Sequence, residues 1–357
     1  MFCRYSTASQ LSVGLFGHYP NHAMPVKMSA SKVISESAGT VRVRPPDGSR
    51  KSQRNFPTLP FRKTAFIYPV GKTDGTGMES QVGTWRLLER VRHGQWASVY
   101  RARPVNASIG AAAYAVKMLH ESRQQDHVAI EMLSQEALVG RQVSHPHLIA
   151  ILESHLKHIP QFLVMPWLEG ATLQDYTAAR RLLDPPAVLW IARQTAEAMG
   201  ALDQAGWMHG DVKPSNIFLS PQGHVTLLDL GFARHRDESA EVSRTIAGTG
   251  YYLAPEHVRS TYRPDIRSDI YSLGVVLYQL LAGRLPLEGA TLEQMAVEHK
   301  QTAPPNLCRL APHVPPRVAE LVHRMLAKDP LRRPQSPAEL VVELVRLEIE
   351  TFSERAA

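Results

Sequence analysis

The sequence has very few cysteines and no long apolar run. Of its 357 residues, only Cys3 and Cys308 are cysteine, and they stand near opposite ends of the chain. Two such distant cysteines cannot build a disulfide framework or a zinc site, so we expect a reducing, cytoplasmic environment. The longest apolar stretches, near Leu273–Ala282 and Leu340–Leu347, fall short of the roughly 18 residues that a membrane span needs. We therefore expect no membrane association.

Acidic side chains are scarce at the start of the chain. The formal net charge is +7, from 40 Lys and Arg against 33 Asp and Glu. Residues 1–80 hold 11 basic and 4 acidic side chains, so the whole excess lies there. The remaining residues carry equal numbers of each sign, which predicts no bulk attraction to nucleic acid.

Residues 1–77 are rich in Ser, Pro, Gly, Arg and Lys and show no sustained helical or strand period. Such a segment buries too little apolar surface to offset its ordering entropy, so we expect a disordered basic tail. The composition argues against a secretory signal, because the apolar stretch Leu11–Phe16 is short and is broken by Ser12 and Gly14. An organelle transit peptide, a docking arm for nucleic acid and translation from Met78 remain open alternatives.

The rest of the chain changes from strands to helices, which predicts an α+β protein with two lobes and a cleft between them. The β-rich first lobe is expected at about 83–166 and the helical second lobe at about 169–350, with 351–357 as the C-terminal end. Predicted strands of the first lobe are Trp85–Val91, Ala97–Pro104, Ala113–Leu119, Leu148–Glu153 and Gln161–Pro166, with a helix at Ile130–Val143. Predicted elements of the second lobe are helices Pro186–Ala205, Ser268–Ala282, Leu292–Gln301, Arg317–Leu326 and Pro337–Phe352, and short strands Ile217–Leu219 and Val225–Leu228.

Ordered polar residues surround the predicted cleft. Asp211, Lys213 and Asn216 stand on a loop that follows a helix, and an apolar strand then ends in Asp229-Leu230-Gly231. Upstream, Lys117 lies on an apolar strand and Glu136 on the helix after it; downstream comes Ala254-Pro255-Glu256. Each residue alone is more often a solvated side chain or a turn, but the ordered set is far more specific.

This set resembles the catalytic core of the eukaryotic-like Ser/Thr protein kinases over about residues 83–350. The segment Val164-Met165-Pro166-Trp167-Leu168-Glu169-Gly170 is similar to that of the bacterial branch. The resemblance implies ATP- and Mg²⁺-dependent transfer of the γ-phosphoryl group to Ser or Thr hydroxyls of proteins, with autophosphorylation.

The resemblance also implies a role for each matching residue. Asp211 would orient the acceptor hydroxyl, Lys213 would neutralise the moving phosphate, and Asn216 and Asp229 would hold the metal. Lys117, fixed by Glu136, would bind the inner phosphates. Predicted adenine neighbours are Val99, Ala115, Met165, Leu168 and Phe218; predicted structural residues are Asp269, which clamps the catalytic loop, Thr249, which contacts Asp211 and Lys213, and the pair Glu256 and Arg333.

Two segments depart from the family pattern. Arg92, Gly94 and Ala97 stand where three glycines are usual, so we expect nucleotide binding that persists but is weaker. Gly210 replaces the arginine that in the family binds a phosphate on the activation segment. Phosphorylation of this segment should therefore matter less for activation. Candidate autophosphorylation sites are Ser239, Ser243 and Thr245.

Two other functions compete with a protein kinase. A small-molecule phosphotransferase shares the His209-Gly210-Asp211 pattern, but Lys213 and the segment Gly248–Glu256 favour a protein acceptor. A pseudokinase scaffold usually lacks the Lys or one of the two Asp residues, and all three are present here. The chain ends soon after its last predicted helix, so we expect regulation by a partner acting in trans or by the tail.

Overall fold

The computed structural model describes residues 80–107, 113–179, 182–238, 250–257, 263–289 and 291–356, all within one compact unit. The predicted tail and the alternative translation start at Met78 lie outside these residues. The three autophosphorylation candidates and Thr249 also lie outside them.

The first lobe is a six-stranded antiparallel sheet with one long helix. Its strands occur in the order β1-β2-β3-β4-β6-β5, and helix α1 (His127–Gln142) lies between β4 and β5 in sequence. The Asp126 side chain caps α1 by accepting hydrogen bonds from the backbone N–H groups of Val128 and Ala129. The strands are β1 (Ser80–Val82), β2 (Trp85–His93), β3 (Ala97–Pro104), β4 (Tyr114–Leu119), β5 (Glu153–His155) and β6 (Phe162–Pro166).

The second lobe is mostly helical. Its helices are α2 (Leu173–Ala178), α3 (Pro185–Gln204), α4 (Ile266–Ala282), α5 (Leu292–Gln301), α6 (Leu307–Leu310), α7 (Pro316–Met325) and α8 (Pro337–Ala356). Its short strands are β7 (Ala171–Thr172), β8 (Trp207–Met208), β9 (Ile217–Leu219), β10 (Val225–Leu227) and β11 (Arg234–His235). Within the described part of the chain, none of the helices combines the length and apolar character required to cross a bilayer.

One continuous apolar core joins the two lobes. It includes Leu133 of α1, Leu163 of β6 and the nearly inaccessible Tyr271 and Tyr278 of α4. A separate small cluster packs Trp85, Val116 and other residues on the opposite face of the first-lobe sheet. The predicted two-lobed α+β architecture is therefore confirmed, with the cleft lying where the core passes from sheet to helices.

The strand predicted at Leu148–Glu153 is wrong in position. The strand is β5, which begins only at Glu153, while Leu148 forms an isolated bridge with Leu227 of β10. Leu148, Ile149 and Ile151 are all buried in the core. Their apolar side chains produce a strand-like pattern, but these residues connect the lobes instead of extending the sheet.

Candidate active site

A cavity of about 800 Å³ lies between the two lobes. Its walls come from β2, β3, β4, α1 and β6 on one side and from the segments around β9 and β10 on the other. It is lined by every residue predicted to contact nucleotide, metal or the acceptor hydroxyl: Arg92, Gly94, Val99, Ala115, Lys117, Glu136, Met165, Leu168, Asp211, Lys213, Asn216, Phe218 and Asp229.

One end of the cavity is apolar. Ala115 of β4 pairs with Met165 of β6 across the sheet, and both side chains are almost fully buried. Phe218 of β9 faces the same cavity from the second lobe, and Val99 and Leu168 complete the wall. A flat aromatic base fits a slot of this kind, because apolar walls above and below it replace water on both faces.

The other end is charged and centres on Lys117. Its Nζ donates to Glu136 Oε2 at 2.6 Å and to Asp229 Oδ1 at 3.0 Å. Burial alone would lower the pKa of Lys117, but the carboxylates of Asp229 and Glu136 outweigh burial and raise it. The lysine is therefore held as a fixed cation at the point where the two lobes meet.

Asp229 is the only non-glycine residue in the described part of the chain with a positive φ, at 64°. The turn is anchored because Leu230, next in sequence, is fully buried. Burial would raise the pKa of Asp229, but Lys117 and then Lys213 lower it to about 2. The side chain is thus ionised, and its Oδ2 has no hydrogen-bond partner among the described residues.

Asp211 presents one carboxylate oxygen to the cavity. Its Oδ2 accepts from Lys213 Nζ at 2.7 Å and from Asn216 Nδ2 at 2.9 Å. Its Oδ1 has no partner among the residues that the structure describes. Burial raises the pKa of Asp211 to about 6, although Lys213 acts against this rise. Asp211 is therefore a carboxylate that is fixed on one side and open on the other.

Buried polar groups hold the loop that carries Asp211. The Asp269 carboxylate accepts from the backbone N–H groups of His209 at 2.6 Å and Gly210 at 2.9 Å. Burial lowers the pKa of His209 to about 4, so its ring is neutral. Nε2 of that ring then donates to Leu228 O at 2.9 Å, while Nδ1 accepts from the Asp211 N–H at 3.2 Å. This ring connects the two segments that carry Asp211 and Asp229.

Gly210 occupies a position that a side chain would strain. Its φ is +76°, and a Cβ there would lie 2.5 Å from the backbone oxygen of Phe232. Glycine therefore lets the loop of Asp211 approach the segment after Asp229 closely.

Arg92 lines the cavity and contacts the second lobe. The pairing of β2 with β3 is irregular between Arg90 and Arg92, and the neighbours Val91 and Arg92 both line the cavity. The Arg92 Nη1 donates to Ser215 O at 3.3 Å, so this side chain links the first lobe to the loop of Asp211.

The residues present fit a magnesium nucleotide. Among the described residues no group of three or more His, Cys, Asp or Glu side chains could hold a metal ion alone. Mg²⁺, however, commonly takes one or two protein oxygens and completes its shell with water and phosphate. The open Oδ2 of Asp229 and the amide oxygen of Asn216 are hard donors of this kind, beside the cation of Lys117.

A family model for the protein kinase domain matches residues 85–343. The chain belongs to the protein kinase family. The probable serine/threonine-protein kinase PknB of Lactococcus lactis is 29% identical over 261 residues, which cover 73% of this chain and 41% of that protein. PrkC of Bacillus subtilis is 29% identical over 263 residues, or 73% of this chain and 40% of PrkC. PknB of Mycolicibacterium smegmatis is 32% identical over 270 residues, or 74% and 43%. The kinase chain thus spans well under half the length of these relatives.

The second lobe of the kinase domain contains a buried ion pair. Arg333 donates to Glu256 through Nη1 at 2.6 Å and Nη2 at 2.9 Å, and Ser268 Oγ donates to the same carboxylate at 2.6 Å. The guanidinium also lies 4.7 Å from the ring centre of Tyr271. Glu256 and Arg333, predicted as a pair, are therefore in contact.

Sequence reasoning missed two glutamines that fix α1 of the kinase domain. Gln135 donates to Ala233 O at 3.2 Å, and Gln142 accepts from Trp207 Nε1 at 3.1 Å. Both contacts tie the helix of Glu136 to the second lobe. No sequence signal distinguishes them, because polar residues on a helix usually face water.

Proposed function

We propose that this kinase domain transfers the γ-phosphoryl group of ATP to Ser or Thr hydroxyls of proteins. The observation that carries the proposal is the shared cavity, in which the Lys117–Asp229 pair and the open oxygen of Asp211 lie together. Similarity to bacterial proteins named serine/threonine-protein kinases supports the same function.

Each polar residue then has a separate task. The magnesium ion neutralises phosphate charge when bound, and Asp229 and Asn216 would hold it. Lys117 orients the inner phosphates, with Glu136 keeping its chain extended. Asp211 accepts the hydrogen bond of the acceptor hydroxyl and directs it, while Lys213 balances negative charge beside it. Correct positioning of the reacting groups alone can remove roughly 7–11 kcal/mol of the barrier.

A protein acceptor is favoured over a small molecule. The cavity continues past Asp211 to Gly250, Tyr251, Thr291 and Met295, which leaves room for an extended chain. A scaffold without turnover is disfavoured because Lys117, Asp211 and Asp229 are all present. We also propose a cytoplasmic location, autophosphorylation at Ser239, Ser243 or Thr245, and a regulator acting in trans.

Incubation of the full chain with radiolabelled ATP, Mg²⁺ and a generic basic protein tests the proposal. We expect label on Ser or Thr of the acceptor and its loss in Asp229→Asn, with Glu320→Gln as a control at an exposed position. Label on small molecules alone would favour the phosphotransferase. Absence of label in the wild-type chain, with ATP bound, would favour the scaffold.

A further inference from the structure

A second hollow of about 410 Å³ adjoins the main cavity on the side of the second lobe. It is lined by Tyr251, Leu285, Glu288 and Gly289, of which Tyr251 and Gly289 also line the main cavity. A chain whose hydroxyl reaches Asp211 can therefore place a neighbouring side chain in this hollow.

Glu288 is the one ionisable carboxylate among these four residues. It is exposed, and it forms no hydrogen bond or ion pair with any residue that the structure describes. Arg284, four residues earlier, is also exposed but makes no ion pair with Glu288. The carboxylate is thus available to a partner from outside.

The backbone that carries Glu288 is packed in place. Leu287, directly before it, is buried, and a Cβ on Gly289 would lie 2.9 Å from the Met295 backbone nitrogen. The segment therefore rests closely on α5, and Glu288 extends from a supported backbone. Glu293, in the first turn of α5, has its pKa lowered by its backbone N–H and by Thr291 and adds negative charge near this end of the cleft.

The chemistry of the hollow fits a long basic side chain. Leu285 and Tyr251 offer apolar surface to the methylene stem of an arginine or lysine, and Glu288 offers a carboxylate to its charged head. An acidic side chain placed there would meet like charge.

We propose that Glu288 is a specificity-determining residue that selects acceptor peptides with an arginine or lysine close to the phosphorylated residue. This inference rests on the proposed protein kinase function.

The test uses the full chain and peptides with one Ser in an otherwise uncharged sequence. Arg, and separately Glu, is placed at each flanking position, and kcat/KM is compared with that of the uncharged parent. We expect Arg at one position to raise kcat/KM by about fivefold, as for a partly exposed ion pair. In Glu288→Gln, the Arg peptide and the uncharged parent should have about the same kcat/KM. In Glu288→Arg, the peptide with Glu at the same position should be preferred.

Glu320→Gln is the matched control, because Glu320 is an exposed acid on α7 that lines neither cavity. It should keep the arginine preference. The proposal is overturned if wild type shows no arginine preference at any position, or if Glu288→Gln keeps it. The proposal is also overturned if wild type labels the basic protein but none of these peptides. If wild type labels neither, the protein kinase function fails as well.

Discussion

Lys117 Nζ lies 3.0 Å from Asp229 Oδ1, although 112 residues separate them in the chain. The first comes from the sheet of one lobe and the second from the end of β10 in the other. Since Glu136 of α1 also binds this lysine, the contact sets the position of a strand, a helix and a loop around one cation. The charged end of the cavity depends on this convergence.

Replacement of Lys117 by Met should abolish most turnover. The variant removes the fixed cation from the phosphate end, and loss of one such group costs roughly 100-fold or more in kcat. Steady-state labelling of an acceptor protein measures the effect, and a thermal melt shows whether the domain stays folded. Lys157→Met is the control, because Lys157 is exposed and lines neither cavity. A folded Lys117→Met protein with near-normal kcat would contradict the assignment.

The decrease in activity at low pH, the acid limb of the pH profile, should follow the protonation of Asp211. Burial raises its pKa to about 6, and only the ionised form can accept the hydrogen bond of the hydroxyl. Activity should therefore be full above this pKa and fall about tenfold per pH unit below it. Lys213 lowers this pKa, so Lys213→Gln should move the limb to higher pH. A kcat/KM profile between about pH 5 and 8 tests both statements; a profile that stays flat down to pH 5 would refute them.

Arg92→Gly should strengthen ATP binding by about threefold. Arg92 puts bulk at the cavity wall and ties β2 to Ser215, whereas glycine lets the backbone approach phosphate more closely. Calorimetric titration of ATP measures the change. Arg92→Gln, which removes charge but keeps most of the bulk, separates the two contributions. Equal affinity of wild type and Arg92→Gly would count against the prediction.

Glu256→Gln should lower the free energy of unfolding by about 3–5 kcal/mol, because it leaves the buried Arg333 without its partner. The contrast is Arg317→Gln, which breaks the more exposed pair with Glu350 and should cost under about 1 kcal/mol. Urea unfolding of the three proteins measures the difference. Similar decreases in the free energy of unfolding of both variants would show that the buried pair contributes no more to stability than the exposed pair.

Phosphorylation of the activation segment should not be required for activity. Gly210 stands where the family has the arginine that reads a phosphate, so Ser243→Ala with Thr245→Ala should keep substantial activity. Asp211→Asn should lose phosphate incorporation altogether. Labelling of both variants decides the matter, and an inactive double alanine variant would show the first statement to be wrong.

The polar residues of the site were easier to predict from the sequence than the backbone geometry around them. The spacing from Asp211 to Asn216 is set within one loop, so the sequence alone predicted that these two residues lie together. The displaced strand at Leu148 was not predictable, since buried connecting residues and strand residues are equally apolar. The link from Arg92 to Ser215 depends on an irregular strand pairing, and the need for Gly210 depends on Phe232; neither leaves a local sequence signal.

We expect Lys117, Asn216 and Asp229 to hold a magnesium nucleotide together in the cleft. Titration of ATP at increasing Mg²⁺ concentrations, in wild type and in Asp229→Asn, tests it most directly. We predict that Mg²⁺ tightens ATP binding to wild type and has little effect on the variant. An equal Mg²⁺ dependence in the two proteins would show that Asp229 does not hold the metal ion.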